Sequence, residues 1–98
     1  MEPPVAQYEI RDREKLVTVP DFAYPDERIA VFCDGFAFHG DAKTLELDAR
    51  KRNWLQSREG GQWIVLTYWG RTITRDPHAC AREIAAIHLH RREAAARI

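Results

Sequence analysis

Between Pro20 and His39 lies the segment that most restricts how this chain can fold. At its centre Ile29-Ala30-Val31-Phe32-Cys33 is an unbroken apolar run, closed by Tyr24-Pro25-Asp26-Glu27 on one side and Asp34-Gly35 on the other. An apolar run that short, bounded by turn residues, is the pattern of a strand buried on both faces. Such a strand needs cover on each side of its sheet, so the remaining segments must supply both neighbouring strands and flanking layers.

The surrounding pattern supplies them. Residues 5–10 alternate loosely and read as a first strand, followed by a charged hairpin turn at 12–15. A second strand is expected over 16–24. Pro20 within it cannot donate to a ladder and so marks a bulge or an open edge. Residues 28–33 form the third strand of an antiparallel meander. A helix is expected over 43–57, with Leu45, Leu47, Trp54 and Leu55 on its packed stripe and Glu59-Gly60-Gly61 as its stop. Residues 62–68 read as the clearest strand. Asp76-Pro77 then gives an N-cap followed by proline at the first helical position. Cys80, Ile84, Ile87 and Leu89 provide that helix with an apolar face up to His90, and the turns over 91–98 are expected to fray. The order is βββαβα. The expected class is α/β, a mixed sheet flanked by helices, in which the helical crossover leaves the fourth strand parallel to the third.

Ninety-eight residues, 45% of them hydrophobic, suffice for one small domain spanning 1–98. Fifteen basic and fifteen acidic side chains balance, so no global charge demands a polyanion and any nucleic-acid contact must come from local patches. Cys33 and Cys80 lack the spacing of a disulfide framework or a zinc site, which fits a reducing cytoplasm. The first residues lack the zones of a signal peptide, and no apolar run approaches the roughly twenty residues that span a bilayer. A cytoplasmic protein with no membrane partner is expected.

Four residues stand out chemically. Asp21 follows a proline inside an apolar strand, where a carboxylate is costly unless paired or metal-bound; the plain alternative is a strand-edge acid. Asp34 ends the buried run, although Asp-Gly is also a common turn. His39 follows Phe36-Ala37-Phe38 and serves equally as a loop residue. Asp48 lies on a charged helix, where acids are ordinarily solvated. Together they are more specific than any one alone: acids on neighbouring strands with a histidine nearby suit a divalent metal and a water-activating base, the requirements for hydrolysing a phosphodiester.

Pro20-Asp21-Phe22, the stretch from Val31 to His39, Asp48 with Leu55 seven positions later, and Trp63-x-Val65-Leu66-x-x-Trp69 resemble, in order and spacing, the active-site region of the very-short-patch-repair mismatch endonucleases. The resemblance covers residues 17–69 and implies the restriction-endonuclease-like fold of the PD-(D/E)XK nuclease superfamily. It implies Asp21 as the main metal carboxylate, the backbone carbonyl of Cys33 as a second ligand, and Asp34 as a further active-site acid adding metal affinity. By the same resemblance His39 activates water and Asp48 supports it, with Mg²⁺ as cofactor and DNA as substrate, in repair or processing. There are departures. Phe32 stands where many relatives have a glutamate, which favours a single-aspartate metal site. Gly40-Asp41-Ala42-Lys43 replaces the family's zinc ligands, so no structural zinc is expected. Of the aromatic wedge before the histidine, Phe38 remains beside Ala37. The helix that relatives place before the first strand is missing, which suggests a C-terminal module of a longer protein. It also suggests an apolar patch beside the first strand, covered by a second copy or by a segment of the parent protein.

Arg50, Lys51, Arg52 and Arg58 cluster on the helix of Asp48, with Arg71 and Arg75 after the last strand, and such groups hold backbone phosphates. Lys51, three positions after Asp48, ranks first among them. Trp54 and Trp69 are expected to pack and not to stack on bases. The reading is a Mg²⁺-dependent DNA endonuclease. Two others stand beside it: a non-catalytic nucleic-acid-binding or docking module that keeps the nuclease fold, and a protein-interaction domain in which Asp34 and His39 are loop residues only.

Overall fold

In the computed structural model, which describes residues 2–35 and 42–96, the apolar run becomes the central strand. The elements are β1 (Val5–Ala6), β2 (Ile10–Asp12), β3 (Lys15–Thr18), β4 (Phe22–Tyr24), β5 (Ile29–Asp34), α1 (Ala42–Gln56), β6 (Ile64–Trp69), α2 (Gly70–Arg75) and α3 (Pro77–Ala96). Four strands form a mixed sheet in the order β1-β4-β5-β6, and β2 with β3 forms a separate two-stranded sheet. β4 runs antiparallel to β5, pairing Phe22 with Val31 and Tyr24 with Ile29. β6 runs parallel to β5 along its whole length, from Ile29 opposite Ile64 to Asp34 opposite Trp69. The crossover through α1 produces that parallel pair, as expected.

Side chains alternate across β5 and divide the core. Ala30 and Phe32 face α1, where they are buried with Ile10, Ala23, Leu55 and Trp63. Ile29 and Val31 face the other way, buried with Tyr24 and Tyr68 and packed against Ile73 of α2 and Cys80, Ile84 and Ile87 of α3. The result is a sheet with one layer of helix on each face. α3 is held by more than its apolar stripe. Tyr68 donates to Glu83 at 2.6 Å, Arg91 donates to the Gln62 carbonyl at 2.7 Å, and the buried His88 lies 3.1 Å from Glu27 with its ring edge-on to Tyr24.

The expected meander needs correcting at two places. The first strand is broken at Gln7, whose φ of 52° turns the chain out of the sheet. Residues 10–12 therefore pair with β3 as a hairpin instead of continuing β1. The second strand is broken at Val19-Pro20-Asp21, with Pro20 fully buried in the gap, so that only Phe22–Tyr24 joins the main sheet. Six residues of α2 were not foreseen, and α3 continues to Ala96, beyond the expected end at His90. The helix boundaries follow their local chemistry. Asp76 caps α3 by accepting from the Ala79 N–H at 3.0 Å. After α1, Ser57 Oγ donates to the Trp54 carbonyl and accepts from the Gly60 N–H.

Candidate active site at the end of the central strand

Extending the β4–β5 register backwards places Asp21 opposite Phe32 and Pro20 opposite Cys33. Cys33 presents its N–H and its carbonyl to that side of the strand, and Pro20 has no N–H with which to meet the carbonyl. The Asp21 side chain fills the other half of the missing pair: its Oδ2 accepts from the Cys33 N–H at 2.6 Å. The Asp21 carbonyl in turn accepts from the Gln7 N–H at 3.1 Å, which ties the acid to β1 as well. Among the described residues no other hydrogen bond reaches the Asp21 carboxylate, so its Oδ1 is unbonded there.

Asp34, the next residue of β5, points to the α1 face and meets Arg52. Nη1 reaches Oδ2 at 2.8 Å and Nη2 reaches Oδ1 at 3.0 Å. The guanidinium also contacts Thr67 Oγ1 at 3.1 Å and lies 4.2 Å from the centroid of Phe32. Both charges are largely shielded from solvent, with side chains 20% and 30% exposed. Asp48, half-buried one turn earlier on α1, lines the same cleft of about 680 Å³ as Asp34 and Arg52, together with Gly35, Leu45, Asn53, Thr67 and Trp69.

The acids shape the electrostatics of Cys33. Burial pushes its thiol pKa up, and the negative charges of Asp21 and Asp34, then Cys80, push it further in the same direction.

The structure thus brings Asp21 to the Cys33 N–H, beside Asp34 in the chain, and lines one cleft with Asp34 and Asp48. His39, Phe38 and the neighbouring Ala37 lie outside the described residues. Among the described residues there is no group of three or more His, Cys, Asp and Glu side chains arranged to hold a metal. Two expectations change in content. Arg52, expected at DNA phosphates, is committed to Asp34 inside the cleft wall. Asp34, expected at the metal, has both oxygens taken by that same guanidinium. Lys51 and Arg50 remain on the exposed surface of α1, Arg50 within 3.3 Å of Glu46 one turn away. Trp54 packs partly buried against the core, as expected, but Trp69 is 54% exposed. The Arg52–Asp34 bridge links positions 18 apart and has no signature at short sequence range. Nor does His88, whose burial is set by the turn that carries Glu27.

Comparison with known proteins finds two relatives, both nicking enzymes. The chain is 24% identical over 95 residues to the type II nicking enzyme V.HpaIIP of Haemophilus parainfluenzae, covering 80% of this chain and 67% of that protein. It is 23% identical over 82 residues to the type II nicking enzyme V.NmeDIP of Neisseria meningitidis serogroup C, covering 66% and 55% respectively. The chain therefore spans only part of the length of these curated relatives. No family model matches it, and no solved structure matches it. Among the described residues no helix is long and apolar enough to cross a membrane.

Proposed function

We propose that this domain is a DNA endonuclease that hydrolyses phosphodiester bonds with Mg²⁺, of the very-short-patch-repair type and built on the restriction-endonuclease-like fold. The observation that carries the reading is the Asp21–Cys33 arrangement. An acid fixed by a main-chain hydrogen bond stands beside a carbonyl that faces a proline. Two such oxygens suit a small, hard cation that retains most of its water, since Mg²⁺ binds through one or two protein carboxylates and leaves the remaining positions to solvent and substrate phosphate. The similarity to two nicking enzymes supports the endonuclease part of the reading.

Asp21 Oδ1 and the Cys33 carbonyl would hold the cation. Bound there, it would supply Lewis-acid polarisation of the scissile phosphate and lower the pKa of the attacking water. By the resemblance, His39 would take the proton from the attacking water and Asp48 would support its imidazole. Asp34 acts through Arg52: the pair fixes the end of β5 and the flank of α1, and so the edge on which Asp21 depends. Lys51 meets a backbone phosphate from the exposed side of α1. The test is conversion of supercoiled plasmid to relaxed circle, measured in Mg²⁺ and in EDTA. Metal-dependent nicking that disappears in D21N supports the assignment, and unchanged nicking in D21N overturns it.

A second reading is favoured by one observation. The Arg52 bridge withdraws Asp34 from any ligand set, as expected of a nucleic-acid-binding module that has kept the fold without the chemistry. Duplex binding with no cleavage in Mg²⁺ or Mn²⁺ would select it.

A further inference from the structure

We propose that Trp69 is a stacking platform for an unpaired nucleobase, placed at the mouth of the cleft between α1 and the ends of β5 and β6; the inference rests on the nuclease reading above and extends it to the form of the DNA. Trp69 closes β6, and its side chain is 54% exposed although it belongs to the central sheet. One part of the indole is nevertheless fixed. It lies against the backbone of Gly35, where a Cβ would stand 2.7 Å from Cε3 and 3.2 Å from Cζ3, and where φ is +100°. Only glycine admits both the backbone conformation and the ring at that point. An indole held on one side and open on the other is already ordered, and loses little freedom when a ligand stacks on it.

The rest of the cleft selects what stacks. Leu45, half-exposed, and Val65 give it apolar walls. Its one cationic lining residue among those described, Arg52, is engaged by both oxygens of Asp34, so the cleft offers no uncommitted charge to a phosphate. Asn53, Gln56 and Thr67 are its neutral hydrogen-bonding groups, Thr67 already meeting Arg52, and Asp48 adds an acid that repels a phosphate. An aromatic surface, apolar walls and neutral polar groups suit a flat, uncharged molecule with a polar edge, which in DNA is a base and not the backbone. The cleft is continuous with the proposed site, since Cys33 and Asp34 line it and Asp21 is bound to Cys33. A base inside a duplex has both faces covered by its neighbours, so the base received here is unpaired or turned out of the helix.

The test uses the full chain in EDTA and fluorescein-labelled single strands of about ten nucleotides, within the usual footprint of single-strand binding sites, compared with abasic strands of the same length by anisotropy. W69A is expected to weaken binding of the strand with bases roughly 5- to 150-fold, the range for loss of one base–aromatic stack. Binding of the abasic strand should not change, and W69F should restore most of the loss. A structural role for Trp69 would weaken both strands alike and overturns the proposal. If W69A does not fold by circular dichroism, W69L, which keeps the apolar contact with Gly35, replaces it in the same comparison. W69A binding like the wild type while plasmid nicking persists overturns the stacking role and leaves the nuclease reading standing. A wild-type chain that neither binds nor cuts DNA overturns both.

Discussion

Arg52 grips both carboxylate oxygens of Asp34, at 2.8 and 3.0 Å, while its guanidinium lies over the ring of Phe32. The pair joins the end of the central strand to the middle of α1. Hydrogen bonds to charged groups contribute about 1.5–3 kcal/mol each way, and partial burial limits screening here. R52A and D34A are each expected to destabilise the domain by about that amount in urea unfolding. The double variant should lose clearly less than the sum, because the second removal has no partner left to orphan. Additive losses would mean that the bridge carries no coupling.

Asp21 separates stability from chemistry. Asparagine keeps an oxygen that accepts from the Cys33 N–H, whereas alanine leaves that N–H unpaired. D21N should therefore stay within about 0.5 kcal/mol of the wild type and D21A lose about 1–3 kcal/mol. Both should abolish metal-dependent nicking. Retained nicking in D21N with full stability would remove Asp21 from the metal site.

Lys51 and Arg52 are neighbours in sequence with opposite surroundings. Lys51 is exposed on α1, while Arg52 is bridged to Asp34. K51A should lower duplex affinity across sequences and reduce the slope of log K against log salt by roughly one, the signature of a lost phosphate contact. An unchanged slope would place Lys51 away from the DNA.

Two buried tyrosines are expected to make stability fall at alkaline pH. Burial raises the pKa of Tyr68 well above the ordinary tyrosine value, and the hydrogen bond and charge of Glu83 raise it further; burial and then Glu27 raise Tyr24. Above pH ~10 the unfolded chain releases the phenolic protons that the folded chain retains, so stability falls as pH rises from there toward the folded values. Below that pH the contribution is fully present and flat. Y68F should flatten the decline in melting temperature between about pH 10 and 11. An equal decline in both proteins would assign it to other groups.

Much of this architecture was legible because it depends on local pattern. The double-sided burial of residues 29–32, the Asp76-Pro77 start of α3 and the parallel return after α1 follow from apolar runs, caps and crossover length. The breaks at Gln7 and at Val19-Pro20-Asp21 were less legible. Only the tertiary position of the hairpin makes a left-handed Gln7 favourable, and Pro20 marked an irregularity without saying that the chain would change sheets there. For the site, Asp21 could be singled out as a carboxylate in an apolar strand, yet its hydrogen bond to Cys33 depends on strand register. The pairing of Asp34 with Arg52 depends on the angle at which α1 crosses the sheet, and no spacing rule encodes that angle. Trp69 is expected to pack as the other large aromatics do, but it stands where β6 ends and the cleft begins and is 54% exposed.

The β2–β3 hairpin forms its own sheet and reaches the core through Ile10 and the Tyr8–Trp63 ring contact, while Leu16 and Val19 stay exposed. It leans on the C-terminal end of α1, near Leu55 and Trp63. Few buried contacts hold it, so it can open as a unit of its own, with amides that exchange at a lower free energy than those of β5 and β6. A protease entering at the Arg13-Glu14 turn would then cut the hairpin while the central strands, and the edge that holds Asp21 against Cys33, keep their protons.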